Sequence, residues 1–171
     1  MRLKAFFFIS LSIFFAVLPV LAQEIDADYK KMIERKYDGF PLIQPDVLEN
    51  MLEMKAPFVI LDTRELNEFN VSHIPGSIYF GYDSKNWKSL DKIPKDAEII
   101  VYCSIGVRSQ NIGKELSDKG YNNVKNLYGG IFLWADQKRS LEDRSGKSTN
   151  KVHGYNKFWG KWVKKAETVY E

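Results

Sequence analysis

The sequence predicts an α/β domain with a central, mostly parallel β-sheet flanked by helices, and three observations support this prediction. Two short, uninterrupted apolar runs rich in β-branched residues, at 58–61 and 99–102, are typical of strands buried on both faces. Segments with apolar residues at helical spacing alternate with such runs, as in parallel sheets. The length of 171 residues suits one ordinary domain, and the composition is that of a globular chain.

Residues 1–22 are predicted to be a secretory signal peptide. Arg2 and Lys4 precede an apolar run over 5–18. A proline then leads to a small-residue ending at Ala22, of the kind that a signal peptidase cleaves. The alternative is an uncleaved helix that anchors the chain, since the apolar stretch approaches membrane-spanning length. The sequence therefore predicts an exported, periplasmic protein, with membrane contact only through an uncleaved segment.

Residues 23–56 are predicted to be a helical lead-in to the domain. A first helix is expected because apolar residues recur at helical spacing; they are Tyr29, Met32, Ile33 and Tyr37. Pro45 begins a second predicted helix, with Asp46 in its first turn. The apolar face of this second helix comprises Val47, Leu48, Met51 and Leu52.

The core of the domain is predicted over 57–140. A long helix is expected to begin at Ser109, with Ile112 and Leu116 on its apolar face, and to end at Gly120. Two further strand candidates and one short helix candidate lie at 77–80, 123–127 and 83–90, respectively.

Residues 141–171 are predicted to be a polar linker followed by an amphipathic helical arm. The stretch 142–150 is rich in polar residues and glycine, as loops are. Beyond it, an aromatic stripe recurs at helical spacing opposite several lysines; the stripe comprises Tyr155, Phe158, Trp159, Trp162, Val163 and Ala166. We expect this arm to pack on the domain. The alternatives are a surface for a partner or a membrane, or a lid over the active site.

Charge and cysteine content argue against several classes of protein. Loss of Arg2 and Lys4 with a signal peptide would lower the formal net charge from +3 to +1. No concentrated basic face appears outside the tail, so a nucleic-acid partner is not expected. Cys103 is the only cysteine, so an intrachain disulfide cannot form. His153 has no Cys or His at metal-ligand spacing, so a metal site is not expected.

The loop from Cys103 to Arg108 is the strongest candidate for a functional site. It directly follows a buried strand, and the carboxyl ends of parallel strands line the ligand crevice of such sheets. Gly106 permits a tight turn, so that successive main-chain N–H groups and the positive end of the following helix would face an anion. Such surroundings stabilise a thiolate, and they favour a nucleophilic Cys103 over an inert core thiol.

Four separate stretches of the chain occur in a characteristic order and spacing. They are Ile60-Leu61-Asp62-Thr63-Arg64-Glu65 with Glu68-Phe69, His73-Ile74-Pro75-Gly76-Ser77-Ile78, Cys103 to Arg108 with Ser109, and Gly129-Gly130-Ile131 with Trp134. Together they resemble the signatures of the rhodanese-like domain family, most closely its single-domain bacterial members, over about residues 59–134. The second stretch departs from the family pattern, since alanine is more usual than Ser77.

This resemblance implies a three-layer fold and a sulfurtransferase mechanism. The Cys103 thiolate would attack the outer sulfur of a small anionic donor, become a persulfide, and give that sulfur to a thiol or a cyanide-like acceptor. No metal or organic cofactor is needed. Members specific for thiosulfate often carry extra basic residues in the loop, whereas Ser104, Ile105 and Val107 are uncharged. The resemblance therefore leaves thiosulfate, a polysulfide and a persulfide open as donors. The predicted substrate-binding residues are Ser104, Ile105, Gly106, Val107 and Arg108.

Two other functions are compatible with the loop. Cysteine phosphatases also close such a loop with arginine, but they place one more residue there than the four that separate Cys103 from Arg108. The tighter loop suits a sulfur atom better than a phosphate group. The second alternative is a module without enzymatic activity that only carries sulfur or binds a partner.

The polar residues around the loop are interpreted individually. Arg108 is expected either to contact substrate or to form a salt bridge with a carboxylate such as Asp62 or Glu65, and the sequence leaves both open. Asp62 and Arg64 are interpreted as structural residues that brace loops. His73 is interpreted as a hydrogen-bonded turn residue, because a thiolate ionised by its loop needs no general base.

Overall fold

The computed structural model describes residues 25–170, so the predicted signal peptide lies outside the described residues. Within this range, no helix is both long and apolar enough to cross a bilayer. In chain order the elements are α1 (Ala27–Glu34), β1 (Leu42–Ile43), α2 (Pro45–Glu53), β2 (Val59–Asp62), α3 (Leu66–Val71), β3 (Ile78–Tyr79), a 3₁₀ helix (Trp87–Leu90), β4 (Glu98–Tyr102), α4 (Val107–Asp118), β5 (Asn123–Leu127), α5 (Gly130–Asp136), β6 (Lys151–His153), α6 (Lys157–Gly160) and β7 (Glu167–Val169).

The central sheet consists of parallel strands in the order β1-β5-β4-β2-β3. Strand β4 lies in the middle, with Val101 opposite Leu61 of β2 on one side and opposite Asn126 of β5 on the other. The carboxyl ends of β2, β4 and β5 therefore meet at one edge of the sheet. This arrangement confirms the predicted parallel sheet and places the loop after β4 in the crevice at that edge.

The side chains of β4 alternate between two apolar cores, as the two-residue period of a strand requires. Ile100 and Tyr102 pack with buried residues of α1, α2 and α5 on one face of the sheet. Ile99 and Val101 pack with buried residues of α4 on the other face. The molecule thus has three layers, with the sheet between two layers of helices.

Several elements differ from the prediction. Helix α4 begins at Val107, two residues before Ser109, so its first turn belongs to the predicted substrate loop. The short helix predicted over 83–90 is only a 3₁₀ turn at its end. The sequence pattern did not reveal β1, α3 or α5, which are short. Helix α3 begins where the Glu68 carboxylate accepts a hydrogen bond from the N–H of Glu65, at 3.0 Å.

The prediction of an amphipathic helix over 155–166 is wrong. Only the single turn α6 is helical, and it lies between β6 and β7, which form a separate two-stranded parallel sheet. The main-chain N–H of Lys164 donates to the Asp136 carboxylate at 2.9 Å instead of to a helical carbonyl. The aromatic spacing reflects contacts with different parts of the domain; Trp162, for example, packs on Tyr29 with ring centroids 5.7 Å apart.

The polar stretch over 142–150 folds back onto the domain. The main chains of Glu142 and His73 exchange two hydrogen bonds, at 2.9 and 3.0 Å, and Glu142 also pairs with Ser148. The chain is thereby returned to the crevice edge of the main sheet, where β6 packs against α3.

Candidate active site

Cys103 follows the last residue of β4, at the crevice edge of the sheet. Cys103 is only 1% exposed, and the N–H of Gly106 donates a hydrogen bond to its Sγ at 3.2 Å. The N–H groups of Ser104 and Ile105 have no acceptor among residues 25–170. The sulfur thus sits at the amino end of a twelve-residue helix with main-chain donors around it, where a negative charge is stabilised.

The loop depends on glycine at position 106. Gly106 has φ +103°, in the left-handed region, and a Cβ there would lie 2.7 Å from the Tyr37 hydroxyl. Asn126 of β5 donates through Nδ2 to the Gly106 carbonyl at 2.8 Å, and Ser109 orients the amide by donating to its Oδ1 at 2.7 Å. The neighbouring strand and the first turn of α4 therefore fix the loop together.

A second glycine turn supports the loop from below. Gly130 has φ +56°, and a Cβ there would collide with the carbonyl oxygen of Cys103. The carbonyl of neighbouring Gly129 accepts a hydrogen bond from the Tyr29 hydroxyl at 2.8 Å, and the N–H of Gly129 donates to the Tyr37 hydroxyl at 3.1 Å. Burial raises the pKa of Tyr29 well above its usual value, so this hydroxyl keeps its proton. The lead-in segment thus holds the active-site turn, a role that its apolar spacing gave no means to predict.

Arg108 forms a bidentate salt bridge with Glu68 of α3. The two guanidinium nitrogens lie 2.7 and 2.8 Å from the carboxylate oxygens. The expected salt bridge with a nearby carboxylate is therefore present, but its partner is Glu68 and not Asp62 or Glu65, because α3 turns Glu68 toward the loop. Ser104 joins the pair through its hydroxyl, 3.0 Å from Arg108 and 3.2 Å from Glu68.

The charges of this pair are mutually stabilised. Burial alone would raise the pKa of Glu68, but the hydrogen bonds and positive charge of Arg108 outweigh it and lower the pKa. Burial would likewise lower the pKa of Arg108, but Glu68 raises it above its usual range. Arg108 is therefore a neutralised cation, not a free one.

The other polar residues near the loop form the bracing contacts that were expected of them. Arg64 is fully buried and forms a salt bridge with Asp62 at 2.6 Å, and it also donates to the Ser72 carbonyl at 2.5 Å. His73 stacks on Phe69 with ring centroids 3.9 Å apart and hydrogen-bonds the Phe69 carbonyl. These contacts brace α3 and the segment after it against the sheet.

The Cys103 pocket has a cavity volume of about 180 Å³. Besides loop residues, three side chains outside the predicted site line it: Lys36, Tyr155 and Trp159. Gly106 itself does not line it. Among residues 25–170, no group of His, Cys, Asp or Glu is arranged to hold a metal ion. The arrangement offers a buried thiol sulfur, main-chain N–H donors and a largely apolar chamber.

A sequence model described as "Rhodanese-like domain" matches residues 44–137. This range includes the Cys103 loop and strands β2 to β5. It excludes α1, the Tyr37 segment and the C-terminal sheet, and therefore excludes Lys36, Tyr155 and Trp159.

Curated relatives share this part of the chain. The adenylyltransferase and sulfurtransferase UBA4 of Meyerozyma guilliermondii is 40% identical over 83 residues, which cover 44% of this chain and 20% of the relative. The thiosulfate sulfurtransferase GlpE of Coxiella burnetii is 29% identical over 83 residues, which cover 48% of this chain and 77% of the relative. The chain thus spans about a fifth of the length of the UBA4 relative.

Solved structures share the fold. The rhodanese-like domain of the Anabaena Alr3790 protein has a TM-score of 0.56 and 26% identity, covering 60% of this chain and 79% of that one. A Rhodopseudomonas palustris protein described as a possible tyrosine phosphatase has a TM-score of 0.53, covering 70% of this chain and 98% of that one. Its identity of 21% shows a common fold alone.

Proposed function

Because the chain belongs to the rhodanese-like domain family, we propose that it is a sulfurtransferase that carries sulfane sulfur as a persulfide on Cys103. Relatives described as sulfurtransferases share the segment that contains this cysteine. The proposed donor is a small anionic compound such as thiosulfate, a polysulfide or a persulfide. The proposed acceptor is a thiol or cyanide.

The reaction has two balanced steps. In the first, the Cys103 thiolate attacks the outer sulfur of the donor; a new S–S bond forms, and the old bond breaks with its electron pair on the leaving group. With thiosulfate, the leaving group is sulfite and the enzyme holds Cys103–S–S⁻. In the second step, the acceptor attacks the outer sulfur and the thiolate is regenerated. This is covalent catalysis with a ping-pong pattern.

The observation that carries the proposal is the Cys103 loop itself. The hydrogen bond from Gly106 N–H to Sγ, at 3.2 Å, stabilises the thiolate before attack. After transfer, the outer sulfur carries the charge, and the unused N–H groups of Ser104 and Ile105 are the donors that can meet it. A loop that serves both charged forms lowers the barrier to both steps.

The geometry of Arg108 argues against the phosphatase alternative. Binding of a phosphate dianion calls for a guanidinium whose charge is not already paired, whereas Arg108 forms a bidentate salt bridge with Glu68 and also donates to Ser104. Only four residues separate Cys103 from Arg108, which leaves a loop suited to a single sulfur atom. We also propose, from residues 1–22, that this chemistry takes place outside the cytoplasm, in the periplasm.

Steady-state kinetics test the proposal. With thiosulfate or an organic sulfane donor and cyanide as acceptor, we expect thiocyanate formation with parallel double-reciprocal plots. Cys103→Ser should form none, while Ser117→Ala, on the far part of α4, should match the wild type. A wild type without activity toward any sulfane donor would refute the enzyme assignment and leave the carrier or partner-binding module. Hydrolysis of an aryl phosphate that is lost in Cys103→Ser would instead support the phosphatase.

A further inference from the structure

The C-terminal segment contributes two aromatic side chains to the Cys103 pocket. Tyr155 and Trp159, called the aromatic wall below, line the pocket together with Ile105 and Val107 of the loop. Both wall residues lie outside the range that matches the family model. The matched part of the chain therefore does not account for this side of the pocket.

The aromatic wall is held in place by the fold. Tyr155 has φ +61°, an uncommon conformation for a bulky residue, and its N–H donates to the Nδ1 of buried His153 at 3.1 Å. The Asn156 side chain accepts from the N–H of Trp159 at 3.0 Å and caps α6. The segment thus presents both rings to the pocket in a fixed geometry.

The charges around the pocket do not match a dianion. Arg108 is neutralised by Glu68, and the ring of Tyr155 covers its guanidinium at 4.8 Å from the ring centroid. Lys36 is exposed at the pocket and forms no salt bridge with another described residue. The loop N–H groups of Ser104 and Ile105 meet the outer sulfur, so among the described residues Lys36 is the one cation lining the pocket that is left for the rest of the donor. One positive charge beside apolar walls cannot replace the water lost by a second negative charge.

We propose that the aromatic wall makes the site selective for a monoanionic sulfane-sulfur donor with an apolar organic body, such as an organic persulfide or thiosulfonate, over thiosulfate. This inference rests on the proposed sulfurtransferase function. Attack by Cys103 requires the leaving group to lie in line, on the far side of the outer sulfur, where the pocket opens. There the apolar body contacts Tyr155 and Trp159, and Lys36 meets the anionic group.

The step balances for a thiosulfonate, RSO₂–S⁻. The Cys103 thiolate forms a bond to the outer sulfur, and the bond between the two donor sulfurs breaks. The electron pair leaves with the sulfinate RSO₂⁻, and the outer sulfur keeps its negative charge as Cys103–S–S⁻. No proton, oxidant or reductant is required.

Three donors separate charge from apolar body: thiosulfate, the methanethiosulfonate anion and the benzenethiosulfonate anion. For each, kcat/KM is divided by the rate of the same donor with a free small thiol, so that intrinsic reactivity cancels. In the wild type we expect the normalised value to be highest for benzenethiosulfonate and lowest for thiosulfate. Loss of an apolar contact in a pocket reduces kcat/KM by about tenfold or more. Tyr155→Ala and Trp159→Ala should therefore each lower kcat/KM about tenfold for benzenethiosulfonate and leave the other two donors unchanged.

Two kinds of control variant keep the result interpretable. Met54→Ala removes an apolar side chain that is 80% exposed and does not line the pocket, so all three donors should react as in the wild type. Trp159→Phe should keep most of the preference. The Tyr155 side chain is 48% exposed, so its loss does not empty the core and the variant should fold.

The outcomes distinguish the two proposals. Equal or better normalised use of thiosulfate by the wild type would overturn the aromatic-wall inference and leave the sulfurtransferase function intact. So would an equal loss for all three donors in Tyr155→Ala. If no donor transferred sulfur to Cys103, the sulfurtransferase function itself would fail, and the inference with it.

Discussion

Replacement of Glu68 by glutamine tests the electrostatic design of the site. The Glu68 side chain is 2% exposed and that of Arg108 17%, so the variant leaves a largely buried guanidinium without its counter-charge. Breaking a buried pair in this way costs about 3 to 5 kcal/mol. Because Arg108 keeps some contact with solvent, we expect the lower end of this range, about 3 kcal/mol. For a domain of this size, each kcal/mol corresponds to roughly 2–4 °C in Tm, so Tm should fall by about 6–12 °C.

The effect of Glu68→Gln should depend on pH with a definite sign. The pKa of Glu68 lies below its ordinary value of 4.5 in the folded state, because Arg108 outweighs burial. The stabilisation is therefore complete above pH 4.5 and is lost as pH falls through the lower folded value. Thermal denaturation at several pH values should show the wild-type Tm approaching that of the variant in acid.

The same variant should alter donor use. With Glu68 neutral, Arg108 has a free charge beside the pocket, and a charged hydrogen bond to thiosulfate is worth roughly 1.5–3 kcal/mol. Its kcat/KM for thiosulfate, relative to an organic thiosulfonate, should rise about tenfold. If the Tm of Glu68→Gln at pH 7 equals that of the wild type, the pair does not contribute to stability as argued. If the ratio of kcat/KM for thiosulfate to that for the thiosulfonate is unchanged, Glu68 does not neutralise Arg108.

Three further variants test other parts of the structure. Gly106→Ala should slow persulfide formation in stopped-flow measurements, because a left-handed φ costs a non-glycine residue about 1–2 kcal/mol. Adding Tyr37→Phe removes the hydroxyl that the new Cβ would meet, and it should restore only part of the rate. Full restoration would show that backbone strain does not matter. Arg64→Met should lower the free energy of unfolding by about 3–5 kcal/mol in urea titration, since it leaves the Asp62 carboxylate buried and unpaired. Adding Asp62→Asn should recover part of this stability. Losses that simply add in the double variant would contradict the pairing. Burial lowers the pKa of His153 below its ordinary 6.5, so the folded state loses the stability contributed by neutral His153 as pH falls below 6.5. His153→Gln should remove this part of the decline in melting temperature. An identical decline in both proteins would contradict the prediction.

The main sheet was predictable because its strands carry strong local patterns. The runs that became β2 and β4 are continuous and apolar, as strands buried on both faces must be. The C-terminal segment shows the limit of the same approach. Its aromatic residues fit a helical period, but tertiary hydrogen bonds, such as that from Lys164 to Asp136, override the pattern.

The site was predictable to the extent that it is local in sequence. The Cys103 loop is one contiguous stretch between a strand and a helix, so its position followed from periodicity and turn chemistry. The groups that surround the loop come from elsewhere: Lys36 follows α1, Glu68 lies in α3, and the aromatic wall lies in the connection between β6 and β7. Contacts over such separations are set by the three-dimensional packing of elements, which no single-sequence period encodes.

The central claim is that Cys103 carries sulfur, and intact-protein mass spectrometry tests it most directly. The chain has one cysteine, so an added sulfur atom can be assigned to it without ambiguity. After reduction and incubation with a sulfane donor, the account predicts a mass increase of one sulfur atom, reversed by cyanide and absent from Cys103→Ser. A reduced wild-type protein that gains no sulfur from thiosulfate, a polysulfide or an organic thiosulfonate would contradict it.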